Sequence, residues 1–149
     1  MERTWGAFAM AMAICRLGRM MVAVHDSAPP SDQEWARWVA LVHEPPSPEL
    51  RLLIETTGQG GPNAKQRKAL ADATRGLDVR AAILSDSMAV RGVITALAWL
   101  GLAQRAFVPG DHRGAADYLG LSAQEGAKLL EALPNLRRSA GWANAQASR

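Results

Sequence analysis

Three short clusters of reactive side chains in this 149-residue chain each follow a largely apolar run. His25 and Asp26 follow residues 20–24. Glu55, Thr56 and Thr57 follow residues 50–54, and Ser85, Asp86 and Ser87 follow residues 79–84. A histidine, acids and hydroxyls are the groups used for proton transfer and for Ser-His-Asp hydrolysis. If the three runs are parallel strands, the clusters meet at one edge of a sheet, where open α/β sheets bind ligands. The result would be a polar rim of His25, Asp26, Glu55, Ser85 and Asp86. Hydrolysis lacks its sequence motif, because the chain contains no Gly-x-Ser-x-Gly. Asp86 and Ser87 equally suit the cap of a following helix, so no catalytic residue is assigned.

A second candidate is the loop Gly58-Gln59-Gly60-Gly61-Pro62-Asn63-Ala64-Lys65, between a predicted strand and a predicted helix. Anions bind at such helix starts. A phosphate-binding P-loop needs Lys and then Ser or Thr directly after its last glycine. Here Pro62, Asn63 and Ala64 intervene, and Gln66 follows Lys65. The dinucleotide fingerprint also fails, because its third glycine is missing and the strand is not the first. Gly58, Gly60, Gly61 and Asn63 therefore read as a turn and helix cap, with an anion or partner contact as the alternative. His25, His43 and His112 are isolated and Cys15 is the single cysteine. That excludes an intrachain disulfide and offers no zinc spacing. No cofactor is expected.

The elements that must carry these residues are legible in the apolar pattern. Phe8, Met10, Met12 and Ile14 alternate with Ala7, Ala9, Ala11 and Ala13, a strand period. Leu17-Gly18 makes a turn, and Met20, Val22 and Val24 continue as the second strand of a hairpin. An Ala- and Met-rich helix is the competing reading. Ser31 with Glu34 predicts a capping box for a helix with Trp35, Trp38, Val39 and Val42 on one face, stopped by the prolines of 45–48. Strand 50–56 follows, then a helix capped by Asn63 and Gln66 and ended at Gly76. Next come strand 79–84, an apolar helix over 88–100 and a short edge strand over 103–108. Asp111 opens one further helix. Ser122 with Glu125 opens the last, which carries Leu129, Leu130 and Leu133 and ends at Pro134.

This order predicts an α/β fold: a mixed, mostly parallel open β-sheet with an N-terminal hairpin and flanking helices. One domain over 1–133 and a polar tail over 134–149 are expected, with Arg137 and Arg138 as solvated tail residues. The chain is 48% hydrophobic and 21% charged, with a net charge of +3. That balance excludes disorder, and the scattered positive residues point away from nucleic acid. The apolar run 6–15 is short, with Glu2 before it and Arg16 and Arg19 after it. A soluble cytoplasmic chain without membrane contact is expected.

Element order and several segments resemble the STAS-type domain of anti-sigma-factor antagonists, and more closely the diverged STAS-like proteins of bacteria. The segments are the hairpin 8–24, the strand 52–56, the strand and helix of 81–100, and Phe107-Val108 followed by 111–119 with Ala115, Ala116 and Leu119. The resemblance spans about residues 6–133. It implies a non-enzymatic regulatory module that binds a partner protein, a regulatory kinase or anti-sigma-type protein. Such modules are switched by phosphorylation of a hydroxyl after the third strand. The family's Asp-Ser-Ser-Gly string is absent at that place. Thr57 is the nearest hydroxyl, and Asp86-Ser87 has similar chemistry one strand later. A homodimer is also expected, because Trp35 and Trp38 exceed what a small core absorbs and the alanine side of the first strand, including Ala11, is uncharged.

Overall fold

The alternating segments form five strands in the computed structural model. It describes residues 12–26, 28–57, 61–85, 87 and 103–141, together with the helical positions Val90, Gly92, Ile94 and Ala96. The strands are β1 (Met12–Leu17), β2 (Met20–His25), β3 (Glu49–Thr56), β4 (Asp78–Leu84) and β5 (Ala103–Phe107). They lie side by side in chain order. β1 is antiparallel to β2, and every later pair is parallel. Leu17 pairs with Met20 across a two-residue turn whose Gly18 has φ 62°. A left-handed residue suits such a turn. The hairpin reading thus holds over the helical one, while positions 7–11 of the predicted first strand, including Ala11, lie outside the described residues.

Strands in chain order, joined by crossovers of one hand, receive all their connecting helices on one face. α1 (Asp32–Ala40), α2 (Ala64–Ala73) and the helical residue Val90 share one core with Met21, Ala23, Leu50, Leu52, Ala81 and Ile83, and Ile94 packs against it. Trp35 is 6% exposed and Trp38 0%, so this core takes up both indoles. The other face carries α3 (His112–Leu119) and α4 (Ala123–Ser139), whose Ala115, Leu119, Leu129 and Leu133 cover Val22, Val24, Leu53, Ala82 and Leu84. All three expected capping boxes form, Ser31 with Glu34, Asn63 with Gln66 and Ser122 with Glu125. Each such cap is worth about 1 kcal/mol. Asp111 also caps α3, accepting from the Gly114 N–H at 2.9 Å. Among the described residues no helix is long and apolar enough to cross a membrane.

Charged side chains fix the helices of the second face. Arg19 in the hairpin turn donates to Glu125 at 2.9 Å, to Glu49 at 2.7 Å and to the Gly120 carbonyl at 2.9 Å. That joins the start of α4 to β3. The buried Arg51 donates to the Leu119 carbonyl at the end of α3 and to the Asp78 carbonyl, both at 3.0 Å. An arginine in this position satisfies an orphan carbonyl of the last helical turn.

Two expectations change here. Pro134 does not end the last helix, because α4 continues through it to Ser139 and buries Leu136 and Ala140. Residues 134–141 therefore pack with the domain rather than forming a tail. A proline inside a helix loses the bond to the carbonyl four residues back. That carbonyl belongs to Leu130, whose residue is 55% exposed, so water can serve it. The first strand also runs past Cys15 to Leu17, beyond the uncharged stretch expected over 7–15. β1 contains Arg16, whose guanidinium donates to the carbonyls of Leu41, Val42 and Pro45. Ala13 is 1% exposed under α4, so at this position the alanine side is already covered within one chain. Of the residues that motivate a homodimer, Trp35, Trp38 and Ala13 are thus buried within one chain, while Ala7, Ala9 and Ala11 lie outside the described residues.

Replacing Pro134 with Ala should keep the fold and raise the urea midpoint, by up to about 3 kcal/mol in stability. A lowered midpoint in chemical unfolding would contradict a continuous α4.

Candidate functional site

The parallel strands β2, β3 and β4 end at the same edge of the sheet, and β3 is central. Val24 pairs with Glu55, which pairs with Leu84, and His25 pairs with Thr56. Successive side chains of a strand point to opposite faces. Glu55 therefore shares the α3/α4 face with Val24 and Leu84, whereas His25 and Thr56 point to the α1/α2 face. The expected single rim is corrected accordingly, since the sheet itself separates His25 from Glu55.

On the α3/α4 face Glu55 is enclosed, with its side chain 8% exposed. Arg137 from α4 grips it through two bonds, Nε to Oε1 at 2.6 Å and Nη2 to Oε2 at 2.9 Å. His112, in the first turn of α3, places Nε2 2.9 Å from Oε2. A carboxylate only accepts, so Nε2 carries the proton and donates. Burial pushes the Glu55 carboxyl up, but the hydrogen bonds from Arg137 and His112 and their charges outweigh it. The net result holds Glu55 below its ordinary value of 4.5. A carboxylate held anionic, with both oxygens occupied by an arginine fork, is a strong clamp and a weak proton acceptor. It ties the middle strand to both helices of that face.

On the α1/α2 face His25 is 5% exposed. Its Nδ1 lies 2.9 Å from the Asp26 carbonyl and 3.3 Å from Thr56 Oγ1. The carbonyl accepts only, so Nδ1 carries the proton. Burial lowers the His25 pKa below 6.5, with the Asp26 carbonyl and the Asp26 and Glu34 charges opposing. Asp26 Oδ1 accepts from the Ala28 N–H at 2.9 Å and so shapes its own turn. Ser85 is buried, and its hydroxyl accepts from the Ser87 N–H at 3.1 Å. Asn63 is occupied as the α2 cap, accepting from the Gln66 N–H at 2.8 Å. Gly61 is half-buried just before that cap, and Thr57 is exposed. Gly58, Gly60 and Asp86 lie outside the described residues. Among the described residues no cluster of His, Cys, Asp and Glu is set to hold a metal ion.

Sequence reasoning missed His112 and Arg137. His112 stands alone in the sequence and carries no spacing signal. Arg137 was detectable: Leu129, Leu133, Leu136 and Ala140 continue one helical stripe past Pro134, and Arg137 borders it.

Replacing Glu55 with Gln should cost about 3 kcal/mol near pH 7, the usual price of breaking a largely buried ion pair. Because the folded pKa is depressed, the Glu55 contribution is full above about 4.5 and is lost as the pH falls through the lower folded value. The gap between wild type and E55Q in urea unfolding should therefore narrow in strong acid; a constant gap would contradict the clamp. His25 acts at higher pH. The unfolded chain takes up a proton below about 6.5 that buried His25 refuses, so stability should fall as the pH drops below that value. His25→Gln should flatten this decline, and an unchanged slope would contradict a buried neutral ring.

None of the known protein-family models, curated proteins and solved structures matches this chain.

Proposed function

We propose that this chain is a STAS-like, non-enzymatic regulatory module of bacterial signalling, placed in the cytoplasm, that works by binding another protein. The observation that carries this reading is the internal use of the reaction-capable groups at the strand ends. Glu55 has both oxygens occupied by Arg137 and His112. His25 is buried on the opposite face with its Nδ1 bonded to Asp26. General acid–base work requires groups that converge on one reacting atom, and here the sheet stands between them. The alternative of a small enzyme or an anion-binding rim is disfavoured on the same ground.

Among the described residues, two surface grooves offer relief on which a partner can dock. One of about 440 Å³ runs between α1 and α2 over Trp35, Val39 and Ala69. Another, of about 530 Å³, lies between the hairpin turn and α4 beside Met20 and Lys128. Thr57 suits the switch that the resemblance implies, being an exposed hydroxyl at the exit of β3. A phosphate there would add close to two negative charges at a surface loop. The partner class that fits is a regulatory kinase or anti-sigma-type protein.

A photo-crosslinking residue placed singly at Thr57, Lys68, Arg105 and Lys128 samples four exposed surfaces. In the native host, protein adducts are expected from some of these positions and not from others, read by mass spectrometry. Absence of protein adducts from all four would overturn the docking reading.

A further inference from the structure

The two edges of the sheet are finished differently. At β1 the Met12 N–H is taken by Glu34 Oε2 at 3.3 Å, and the Arg16 side chain folds back onto the carbonyls of Leu41, Val42 and Pro45. At β5 no such cover exists among the described residues. The Ser85 N–H donates to the Phe107 carbonyl at 2.8 Å. Phe107, and with it Arg105 and Ala103, therefore turn their backbone groups towards β4. Gln104 and Ala106 turn theirs outward. Gln104 and Ala106 are half-buried, and an edge row with no strand partner among the described residues is a template for one more strand.

The side chains beside that row have a distinct chemistry. α3 packs on β4 and β3 and α4 on β1 and β2, while Ala103 and Arg105 remain exposed and Phe107 half-buried. The Arg105 guanidinium lies 5.4 Å from the Phe107 ring centre. Phe107 meets Tyr118 at 5.8 Å, tilted by 55°, and Arg80 lies 5.7 Å from the Tyr118 ring centre. The order Arg-Phe-Tyr-Arg thus forms a ledge along the α3 side of the edge. Among the described residues neither arginine has a carboxylate within salt-bridge distance, although Arg19, Arg51, Arg75 and Arg137 each have at least one. Arg80 gives Nη1 to the Tyr118 carbonyl at 2.9 Å; stacking on an aromatic ring holds a guanidinium in place and leaves its remaining donors available to a carboxylate. Beyond the strand, Val108 is 63% exposed.

We propose that the β5 edge docks an extended acidic segment of a partner protein, which adds as a sixth strand beside Gln104 and Ala106. Its carboxylates, two residues apart on one face, meet Arg105 and the Arg80 side of the ledge. The docking reading above is the basis of this assignment, which adds the place and the chemistry of the partner. A second copy of the chain fits this edge poorly, since it would bring its own Arg105 against the first. Main-chain bonds supply strand addition and the unpaired arginines supply charge selection, so binding weakens with salt.

The test uses the full chain, isotope-labelled, and three synthetic peptides of about eight residues. One alternates Glu with Val, the second alternates Lys with Val, and the third is the Glu peptide with a central proline that removes a strand donor. The Glu peptide is expected to shift the amide signals of Gln104 and Ala106, and to bind at least about tenfold more weakly to Arg105→Glu. The Lys and proline peptides are expected not to bind. The proline peptide is read on the unaltered chain and so does not depend on how a variant folds. The proposal is overturned if the shifts fall elsewhere or are absent. It is equally overturned if Arg105→Glu or the proline leaves binding unchanged, or if a single-stranded oligonucleotide binds this edge and the Glu peptide does not. Such a failure alongside crosslinked adducts from other surfaces would remove the edge assignment and leave the docking reading standing.

Discussion

A parallel sheet whose strands lie in chain order cannot share its crossover helices between two faces. With one hand of crossover, every connecting helix lands on the same side, and here that side holds α1, α2 and Val90. The opposite face still presents Val22, Val24, Leu53 and Leu84, which a lone sheet would leave in water. Only α3 and α4 are left to cover it among the described elements. Everything particular to this molecule follows from that need. A helix pair that arrives after the last strand has no crossover to hold it down, so polar contacts must do so. Arg19 and Arg51 act at one end of the strands, and Glu55 acts at the other.

This division explains why the strand ends do not form one reactive centre. Residues that share an edge in a parallel sheet still alternate between faces, and a single step in register decides which face each one serves. His25 stands opposite Thr56 rather than Glu55. The acid therefore answers to α3 and α4, and the imidazole answers to the crossover side. Each is used locally, in a low-dielectric setting where a partnered charge holds firmly and an unpartnered one is costly.

Much of the architecture was legible from periodicity and caps. The alternation of Met20, Val22 and Val24, the run Leu52-Leu53-Ile54 and the three capping boxes each specify an element through short-range physics. The hairpin was readable because Gly18 can take the left-handed turn that its neighbours resist. Pro134 misled because a proline's local preference is real, yet tertiary packing of Leu133 and Leu136 on either side outweighs it. The tryptophans misled in the opposite sense, since Trp35 and Trp38 look excessive for a small chain until one core is seen to bury both. The Glu55 clamp was the least legible feature. Its two partners, His112 and Arg137, lie 57 and 82 residues from the acid, and nothing in local sequence links them. Face alternation was predictable in principle, but it needed the register of β2 on β3, which no local pattern supplies.

The dependence of the second face on α4 has a consequence for synthesis. During translation the chain emerges from its N-terminus, and domains fold as their parts become available. All five strands and the crossover side are present before residues 123–139 of α4 have appeared. Until then Val22, Val24 and Leu53 form an open apolar sheet surface, in a species able to stick to other nascent chains. Arg19 and Glu55, placed early in the chain, wait at opposite ends of that surface for Glu125 and Arg137. The late helix thus closes this face as a hasp closes a box, and slow or interrupted synthesis of its last turns would leave the formed sheet open to aggregation.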